Sequence, residues 1–143
     1  MDICEMKACS DEEFGQIVRL LGELSPGCVA HRDMIDETIS GEASHMFVAR
    51  TPEGTIAGMA TVCCFSITTG RHATIEDVVV LPEYQGQGLG RKLVQATLDF
   101  LRHTGKSYKV GLTSKPARVA ANALYRSMGF RQKETNVYVL DIN

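Results

Sequence analysis

The sequence predicts an α/β (α+β) fold, in which a central mixed, mostly antiparallel sheet is flanked by about four helices. Three observations indicate this class. Short segments rich in β-branched residues recur along the chain with strand periodicity. Four other segments repeat apolar residues at helical spacing and begin or end on capping residues. A glycine-rich stretch, residues 85–90, separates a strand pattern from a helix pattern. The predicted order is β-α-α-β-β-β-α-β-α-β.

The N-terminal part of the chain is predicted as one strand followed by two helices. Residues 2–8 alternate as a short strand. Ser10 and Glu13 then form a capping box, because each side chain can bond the backbone N–H of the other residue. The first helix runs to about Leu24, where a Ser-Pro-Gly sequence ends it. Residues 33–40 form the second helix, which lies before the main sheet.

The middle of the chain is predicted as an antiparallel meander. A strand over residues 45–50 ends in a turn, residues 51–54, whose proline and glycine suit the backbone angles of a tight turn. A long return strand covers residues 55–67. After a second turn, the third strand covers residues 73–80. Connections this short join antiparallel neighbours, so these three strands are expected to pair in sequence order.

The remaining elements follow the glycine-rich stretch. A long helix is predicted over residues 88–103, then a strand over residues 108–114. Pro116 lies near the start of the next helix, residues 117–128, where its missing N–H has no cost. A final strand is predicted over residues 130–142. This pattern places the glycine-rich stretch between a meander strand and a crossover helix, a position where open sheets bind ligands.

Size and composition predict a single domain that spans residues 1–143. Its 44% hydrophobic and 22% charged residues are ordinary for a globular protein. The net charge of -2 and the lack of a Lys/Arg run predict no nucleic-acid partner and no membrane partner. The N-terminus has no apolar signal-peptide core. The five cysteines form no C-x-x-C pair and show no ligand spacing with the histidines. We therefore expect a cytoplasmic protein with reduced thiols and no metal.

The glycine-rich stretch is predicted to bind an anion. Three glycines, Gly86, Gly88 and Gly90, have no side chains that would cover the backbone N–H groups. Two cations, Arg91 and Lys92, add positive charge where the helix begins. Backbone N–H groups at a helix N-terminus favour a phosphate or pyrophosphate. Neither the dinucleotide fingerprint nor the Walker loop fits, because the first needs glycine at the position of Arg91 and no stretch matches the second. A plain strand-to-helix turn is the alternative interpretation.

Two spaced motifs resemble the GNAT N-acetyltransferase superfamily. The first is Q-x-x-G-x-G, formed by Gln85, Gly88 and Gly90, and it is similar to the acetyl-CoA pyrophosphate loop of that family. The second, residues 122–130, is similar to the family signature N-x-x-(Y)-x-x-x-G-F. The strand at residues 75–80 also resembles that of glucosamine-phosphate N-acetyltransferases. The resemblance implies the GNAT fold with 6–7 strands, and it allows a homodimer paired through the final strand.

The resemblance also implies acetyl-CoA as co-substrate and assigns residues to it. The backbone of the β-branched strand would bind the pantetheine arm, and the glycine loop would bind the pyrophosphate. An asparagine and a tyrosine of the second motif would lie near the pantetheine end and the thioester. The implied cofactor-binding residues are Val78, Val79, Val80, Gln85, Gly86, Gln87, Gly88, Leu89, Gly90, Arg91, Asn122 and Tyr125.

One catalytic role is implied by the resemblance and the other by the type and position of the residue. Tyr125 would act as the general acid that protonates the leaving thiolate, with core packing as the alternative role. Glu76 is the first candidate for the general base, since it is a carboxylate in a strand otherwise built for burial. Asp77 should point to the opposite face unless a bulge intervenes, and His72 is a weaker candidate. No step needs a metal.

The resemblance implies an acetyl-CoA-dependent N-acetyltransferase (an EC 2.3.1 acyltransferase). The predicted reaction moves an acetyl group directly to the primary amine of a small molecule, either an amino sugar or an amino-acid-like compound. Two alternatives stay open: a protein or peptide N-acetyltransferase, and a non-catalytic acyl-CoA-binding sensor. His31 and Arg32 lie in a region that lines the acceptor side in this family, although a solvated loop is an equal alternative there.

Overall fold

The computed structural model describes residues 1–143. The chain divides into two compact units, Met1–Leu112 and Thr113–Asn143. The first unit contains one sheet and three helices, and the second contains one helix. No helix is both long enough and apolar enough to cross a membrane.

The observed elements follow the predicted order as far as the fourth helix. A short 3-10 turn, Pro82–Tyr84, precedes the third helix. The strands are β1 Asp2–Glu5, β2 Ser44–Arg50, β3 Ile56–Ile67, β4 Gly70–Val80 and β5 Lys109–Gly111. The helices are α1 Asp11–Leu24, α2 Arg32–Ser40, α3 Leu89–His103 and α4 Val119–Ser127. The α/β (α+β) class is therefore confirmed.

The sheet is mixed, with strand order β1-β2-β3-β4-β5. The first four strands pair antiparallel, whereas β4 and β5 pair parallel. A parallel pair needs a crossover connection, and α3 provides it between β4 and β5. The parallel pairing is short, because it joins only His72–Thr74 to Lys109–Gly111. Beyond Thr74, no strand pairs with this second edge of β4.

Each face of the sheet has its own hydrophobic core, because strand residues alternate between faces. The core on the α1/α2 face contains Met6, Ile17, Leu20, Ile35, Ile39, Met46, Val48, Ile56, Met59, Val79 and Leu81. The core on the α3 face contains Phe47, Ala49, Ala57, Ala60, Val62, Ala73, Leu89, Leu93 and Leu101. The sheet is therefore covered on both faces, so a ligand must reach it from an edge or from between the helices.

Local hydrogen bonds fix where α1 begins and how it lies on the sheet. The predicted capping box is present: Glu13 N donates to Ser10 Oγ over 3.2 Å, and Ser10 N donates to Glu13 Oε1 over 3.0 Å. Glu13 also forms an ion pair with Arg50 at the end of β2. One turn later, Ile56 N donates to Gln16 Oε1 over 2.8 Å, which ties the helix to the start of β3.

The predicted number of strands is wrong, because the sheet has five strands and not 6–7. The strand predicted over residues 130–142 is absent. The apolar side chains there are exposed, namely Val137, Tyr138, Val139, Leu140 and Ile142. The predicted strand over residues 108–114 shortens to Lys109–Gly111. A strand exists only where a partner completes its hydrogen-bond ladder, and β-branched composition alone does not supply that partner.

Candidate functional site

The glycine loop forms a tight path from the end of β4 into α3. Gly86 and Gly88 both have φ of +78°, a left-handed backbone that side chains with a Cβ rarely adopt. Gly88 is the N-cap of α3, while Gly90 is already helical. Glycine is therefore required at two of the three predicted loop positions for a conformational reason.

The start of α3 presents bare backbone donors. Gly88 provides no side-chain cap, and the first intrahelical bond runs from Lys92 N to Gly88 O over 3.1 Å. The N–H groups of Leu89 and Gly90 precede that bond, so the helix itself does not satisfy them. The first turn contains no acidic residue, and no atom beyond the adjacent residues lies within 4 Å of where a Cβ on Gly86 or Gly88 would stand. This geometry suits an anion.

The loop is tied back to the strand that precedes it. Gln85 Nε2 donates to the carbonyl oxygen of Val80 over 3.0 Å. Leu89 on the other side of the loop is buried in the α3-face core. These two anchors hold the ends of the loop, so the glycines between them are presented in one conformation.

The second edge of β4 is open over Ile75–Val80, and we call this the open edge. Leu81 N donates to Ala57 O of β3 over 2.9 Å. Since alternate residues direct their backbone groups to opposite edges, Val80 and Val78 direct theirs to the open edge. Val79 directs its backbone toward β3, and its side chain is buried in the α1/α2-face core. Two of the three predicted valines are therefore presented at the open edge.

A β-bulge in β4 decides which way the two predicted carboxylates face. The register shifts between Met59 and Thr61 of β3, and Asp77 has φ of +53°. Alternation places Glu76 on the α1/α2 face, opposite Thr61. Asp77 is the extra residue, and it lies on the same face, because it lines a pocket there. The two adjacent carboxylates therefore share one face.

That pocket lies between the sheet and the first two helices and has a volume of about 180 Å³. Its lining is mostly apolar, with one carboxylate. The residues that line it are Ile17, Leu21, Val29, Ala30, His31, Met34, Ile35, Thr38, Met46, Met59 and Asp77. The first unit thus contains a small apolar pocket whose wall includes the bulge of β4.

The Asp77 carboxylate has no internal partner. It receives no hydrogen bond and no ion pair, and burial raises its pKa above the ordinary aspartate value. The side chain is solvent-accessible at the pocket, but the surrounding protein displaces much of its water. Burial also raises the pKa of the nearby Cys63 thiol, and the charges of Glu76 and Asp77 raise it further. This region of β4 is therefore rich in negative charge and poor in compensating cations.

The second unit carries the two residues predicted from the second motif. Tyr125 is buried on α4, and its ring meets the edge of the Phe130 ring with centroids 6.0 Å apart. Burial raises the pKa of Tyr125, and the charge of Arg118 partly offsets this. Asn122 is half-buried, and its Nδ2 donates to Lys115 O over 3.0 Å. Tyr125 is therefore a protonated phenol at neutral pH, and Asn122 holds the turn before α4.

The weaker candidates have structural contacts of their own. His72 stacks on Phe65, with ring centroids 5.6 Å apart, near the exposed end of the β3–β4 hairpin. Arg32 binds Asp11, Asp36 and the carbonyl oxygen of Cys9, so it joins the start of α2 to the start of α1. His31 lines the pocket. No group of three or more His, Cys, Asp or Glu side chains is arranged to hold a metal ion.

Sequence reasoning left the role of Asp77 open and did not find the methionines of the pocket, Met34, Met46 and Met59. The one signal for Asp77 was a second carboxylate in an otherwise apolar strand. For the methionines there was no signal, since each fits an ordinary amphipathic pattern.

Comparison with known proteins identifies the family of this chain. The acetyltransferase (GNAT) family model matches residues 15–130. Streptothricin acetyltransferase of Streptomyces lavendulae is 39% identical over 89 residues, which cover 61% of this chain and 44% of that protein. The [ribosomal protein bS18]-alanine N-acetyltransferase of Escherichia coli (strain K12) is 40% identical over 60 residues, which cover 42% of this chain and 40% of that protein.

The fold comparison extends over the whole chain. The crystal structure of an acetyltransferase from Trypanosoma brucei superposes with a TM-score of 0.74 at 26% identity, and the match covers 99% of each chain. The matches to the curated relatives are shorter, and the chain spans about half of the length of these relatives or less.

Proposed function

Since the chain belongs to the acetyltransferase (GNAT) family, we propose that it is an acetyl-CoA-dependent N-acetyltransferase that acts on the primary amine of a small molecule. The observation that carries this proposal is the open edge of β4, which ends at the glycine loop and the N-terminus of α3. An extended amide-containing arm with an anionic end matches that arrangement, and coenzyme A has this form.

The cofactor would bind along β4 as an added strand. Val78 and Val80 would bond the amides of the pantetheine arm, because their backbone groups face the open edge. The N–H groups from Gly86 to Gly90 would bind the pyrophosphate, with Arg91 supplying positive charge. The side chain of Val79 packs in the α1/α2-face core. Asn122 would bond the pantetheine end through its amide oxygen, because its amide nitrogen already donates to the carbonyl oxygen of Lys115.

The chemistry requires a neutral amine, a polarised carbonyl and a proton for the leaving group. Acetyl-CoA supplies a thioester carbonyl. A backbone N–H of the Val78–Val80 segment would stabilise the negative charge on its oxygen. The amine nitrogen bonds to the carbonyl carbon, the carbon–sulfur bond breaks, and Tyr125 gives its proton to the thiolate. Glu76 or Asp77 would receive the amine proton, directly or through water, so charge and protons balance.

The acceptor would enter the pocket between α1, α2 and β4. The similarity to a streptothricin acetyltransferase supports a small-molecule acceptor. The similarity to a ribosomal-protein alanine N-acetyltransferase favours a peptide terminus as the second candidate. A volume of about 180 Å³ has room for one small group, which is compatible with a small-molecule amine.

Calorimetry with acetyl-CoA, followed by thiol release with a panel of amines, tests the proposal. We expect saturable binding and release of one thiol per acetylated amine. Binding without thiol release across amines and peptides would favour a non-catalytic acyl-CoA sensor. The absence of any acetyl-CoA binding would contradict the proposal and leave the glycine loop as a plain turn. A homodimer is also still a prediction, and sedimentation of the full chain would test it.

A further inference from the structure

The pocket beside Asp77 has an unusual balance of charge for a site that would receive metabolites. Among its lining residues Asp77 is the one carboxylate and His31 the one basic side chain, and no lysine or arginine is present. Arg32 lies close in sequence, but its guanidinium is committed to Asp11, Asp36 and Cys9 O. The Thr38 hydroxyl donates within its own helix to Met34 O over 2.8 Å. The pocket therefore offers a carboxylate to a cation, whereas the His31 imidazole is the one basic side chain in the lining that could bind an anion.

The size of the pocket further restricts which acceptor molecules it can bind. Drug-sized ligands occupy pockets of roughly 300–1,000 Å³, and an apolar cavity of ~150 Å³ holds one benzene molecule. A volume of about 180 Å³ therefore accepts one ring or a short aliphatic chain. Sugar hydroxyls or a phosphate placed inside this pocket would lie against methionine and isoleucine side chains, where their hydrogen bonds to water are lost.

We propose, on the premise of the proposed function, that the acceptor is a compact apolar monoamine without an anionic group. Its ammonium group would pair with Asp77 as it enters, and its ring or alkyl chain would pack against Met34, Met46 and Met59. The unbranched methionine side chains adapt to rings and chains of slightly different shape. One ammonium proton leaves to solvent before attack, and the second is lost to Glu76 or Asp77 during the transfer described above, so charge and protons balance.

Asp77 is suited to this role because of its position and its lack of partners. The bulge turns the carboxylate into the pocket, where no other group neutralises it. An arriving ammonium would reverse the cost of burial that now raises the pKa of this carboxyl. A carboxylate or phosphate on the acceptor would meet Asp77 with the same sign of charge. Asp77 is therefore a specificity-determining residue in this proposal, and the methionines set the apolar preference.

The test compares amines that differ in one feature. 2-Phenylethylamine and phenylalanine share a ring and an amine but differ by a carboxylate, and glucosamine 6-phosphate represents an anionic amino sugar. We expect kcat/KM for 2-phenylethylamine to exceed that of the other two by about tenfold or more. Faster turnover of phenylalanine, of glucosamine 6-phosphate, or of a peptide with an apolar first residue would overturn the inference.

Two variants report on the charge. Asp77→Asn removes the charge but preserves the shape of the side chain, and asparagine tolerates the left-handed backbone at this position. It should raise KM for 2-phenylethylamine about tenfold or more, with acetyl-CoA affinity unchanged. A fall in kcat with unchanged KM would instead assign Asp77 to proton transfer and contradict its role in selecting the amine.

Met34→Lys adds a cation at a half-exposed site of the pocket and should shift substrate preference toward phenylalanine. The uncharged control Met34→Gln should leave the preference unchanged.

The outcomes separate this inference from the function on which it rests. If acetyl-CoA does not bind, the proposed function fails. If acetyl-CoA binds and only anionic small amines are acetylated, the proposed function stands and the inferred acceptor class is wrong. If only peptides are acetylated, the small-molecule acceptor of the proposed function is wrong as well. If acetyl-CoA binds and none of the apolar monoamines is acetylated, the inference is overturned as well.

Discussion

Gln85 donates from its Nε2 to the carbonyl oxygen of Val80 over 3.0 Å, so the first residue of the glycine loop is bonded to the end of the strand that carries it. This bond lies on the open edge of β4 and links the two parts of the proposed cofactor site. A carbonyl oxygen accepts two hydrogen bonds, so Val80 can accept a ligand amide as well. The bond therefore orders the loop without closing the edge.

Replacing Gln85 with alanine should weaken acetyl-CoA binding about two- to tenfold, since a hydrogen bond of this kind contributes ~0.5–1.5 kcal/mol. Calorimetry measures the change. Gln95→Ala is the matched control, because it removes a similar surface hydrogen bond, to Asp99, from the middle of α3. Equal affinity in the Gln85 variant and the control would show that the bond does not order the site.

Gly88→Ala should lower the free energy of unfolding by about 1–2 kcal/mol, because alanine in a left-handed conformation is strained even where space is available. Acetyl-CoA affinity should fall in parallel. Urea unfolding measures the stability. Gly15→Ala is a control with the opposite expected sign. Gly15 is exposed within α1 and has no positive φ, so alanine there should stabilise the helix by up to ~1 kcal/mol. A neutral result at Gly88 would mean that the loop can adopt another backbone.

Tyr125→Phe should lower kcat by a factor of about 10²–10⁴, the usual contribution of a positioned proton donor, and should leave acetyl-CoA binding nearly unchanged. Because burial raises the pKa of Tyr125, the phenol should keep its proton through the ordinary tyrosine titration range, and its loss should limit the rate only at higher pH. Tyr138→Phe is the control, since Tyr138 is 88% exposed. Wild-type turnover in Tyr125→Phe would exclude Tyr125 as the general acid and leave it a packing role.

Glu13→Gln should make stability less dependent on pH. The backbone N–H of Ser10 and the Arg50 guanidinium lower the pKa of Glu13. A carboxylate with a lowered folded-state pKa stabilises the fold above its unfolded pKa, and this stabilisation is lost as pH falls through the folded value. The variant should therefore be less stable by about 1 kcal/mol at pH 7 and closer to wild type near pH 3. Urea unfolding at both pH values tests this, with the exposed Glu12→Gln as control; a constant difference would contradict the linkage.

The sequence predicted the parts of this fold that depend on local interactions. The Ser10–Glu13 capping box forms as predicted, since it needs only residues three positions apart. The positive φ angles of Gly86 and Gly88 follow from a short loop between a strand and a helix. The helices and the meander match their predicted extents closely, because each is encoded by the periodicity of its own residues.

Pairing and burial between distant segments were decided by the tertiary structure alone. The bulge at Asp77 depends on the register of β4 against Met59 and Thr61 of another strand, and it turns the carboxylate into the pocket. The open edge exists because β5 pairs with β4 only as far as Thr74. The predicted strand over residues 130–142 is missing because alternation in one segment does not create a partner. Local sequence thus determined the elements, and long-range register determined which backbone and carboxylate groups stay available for chemistry.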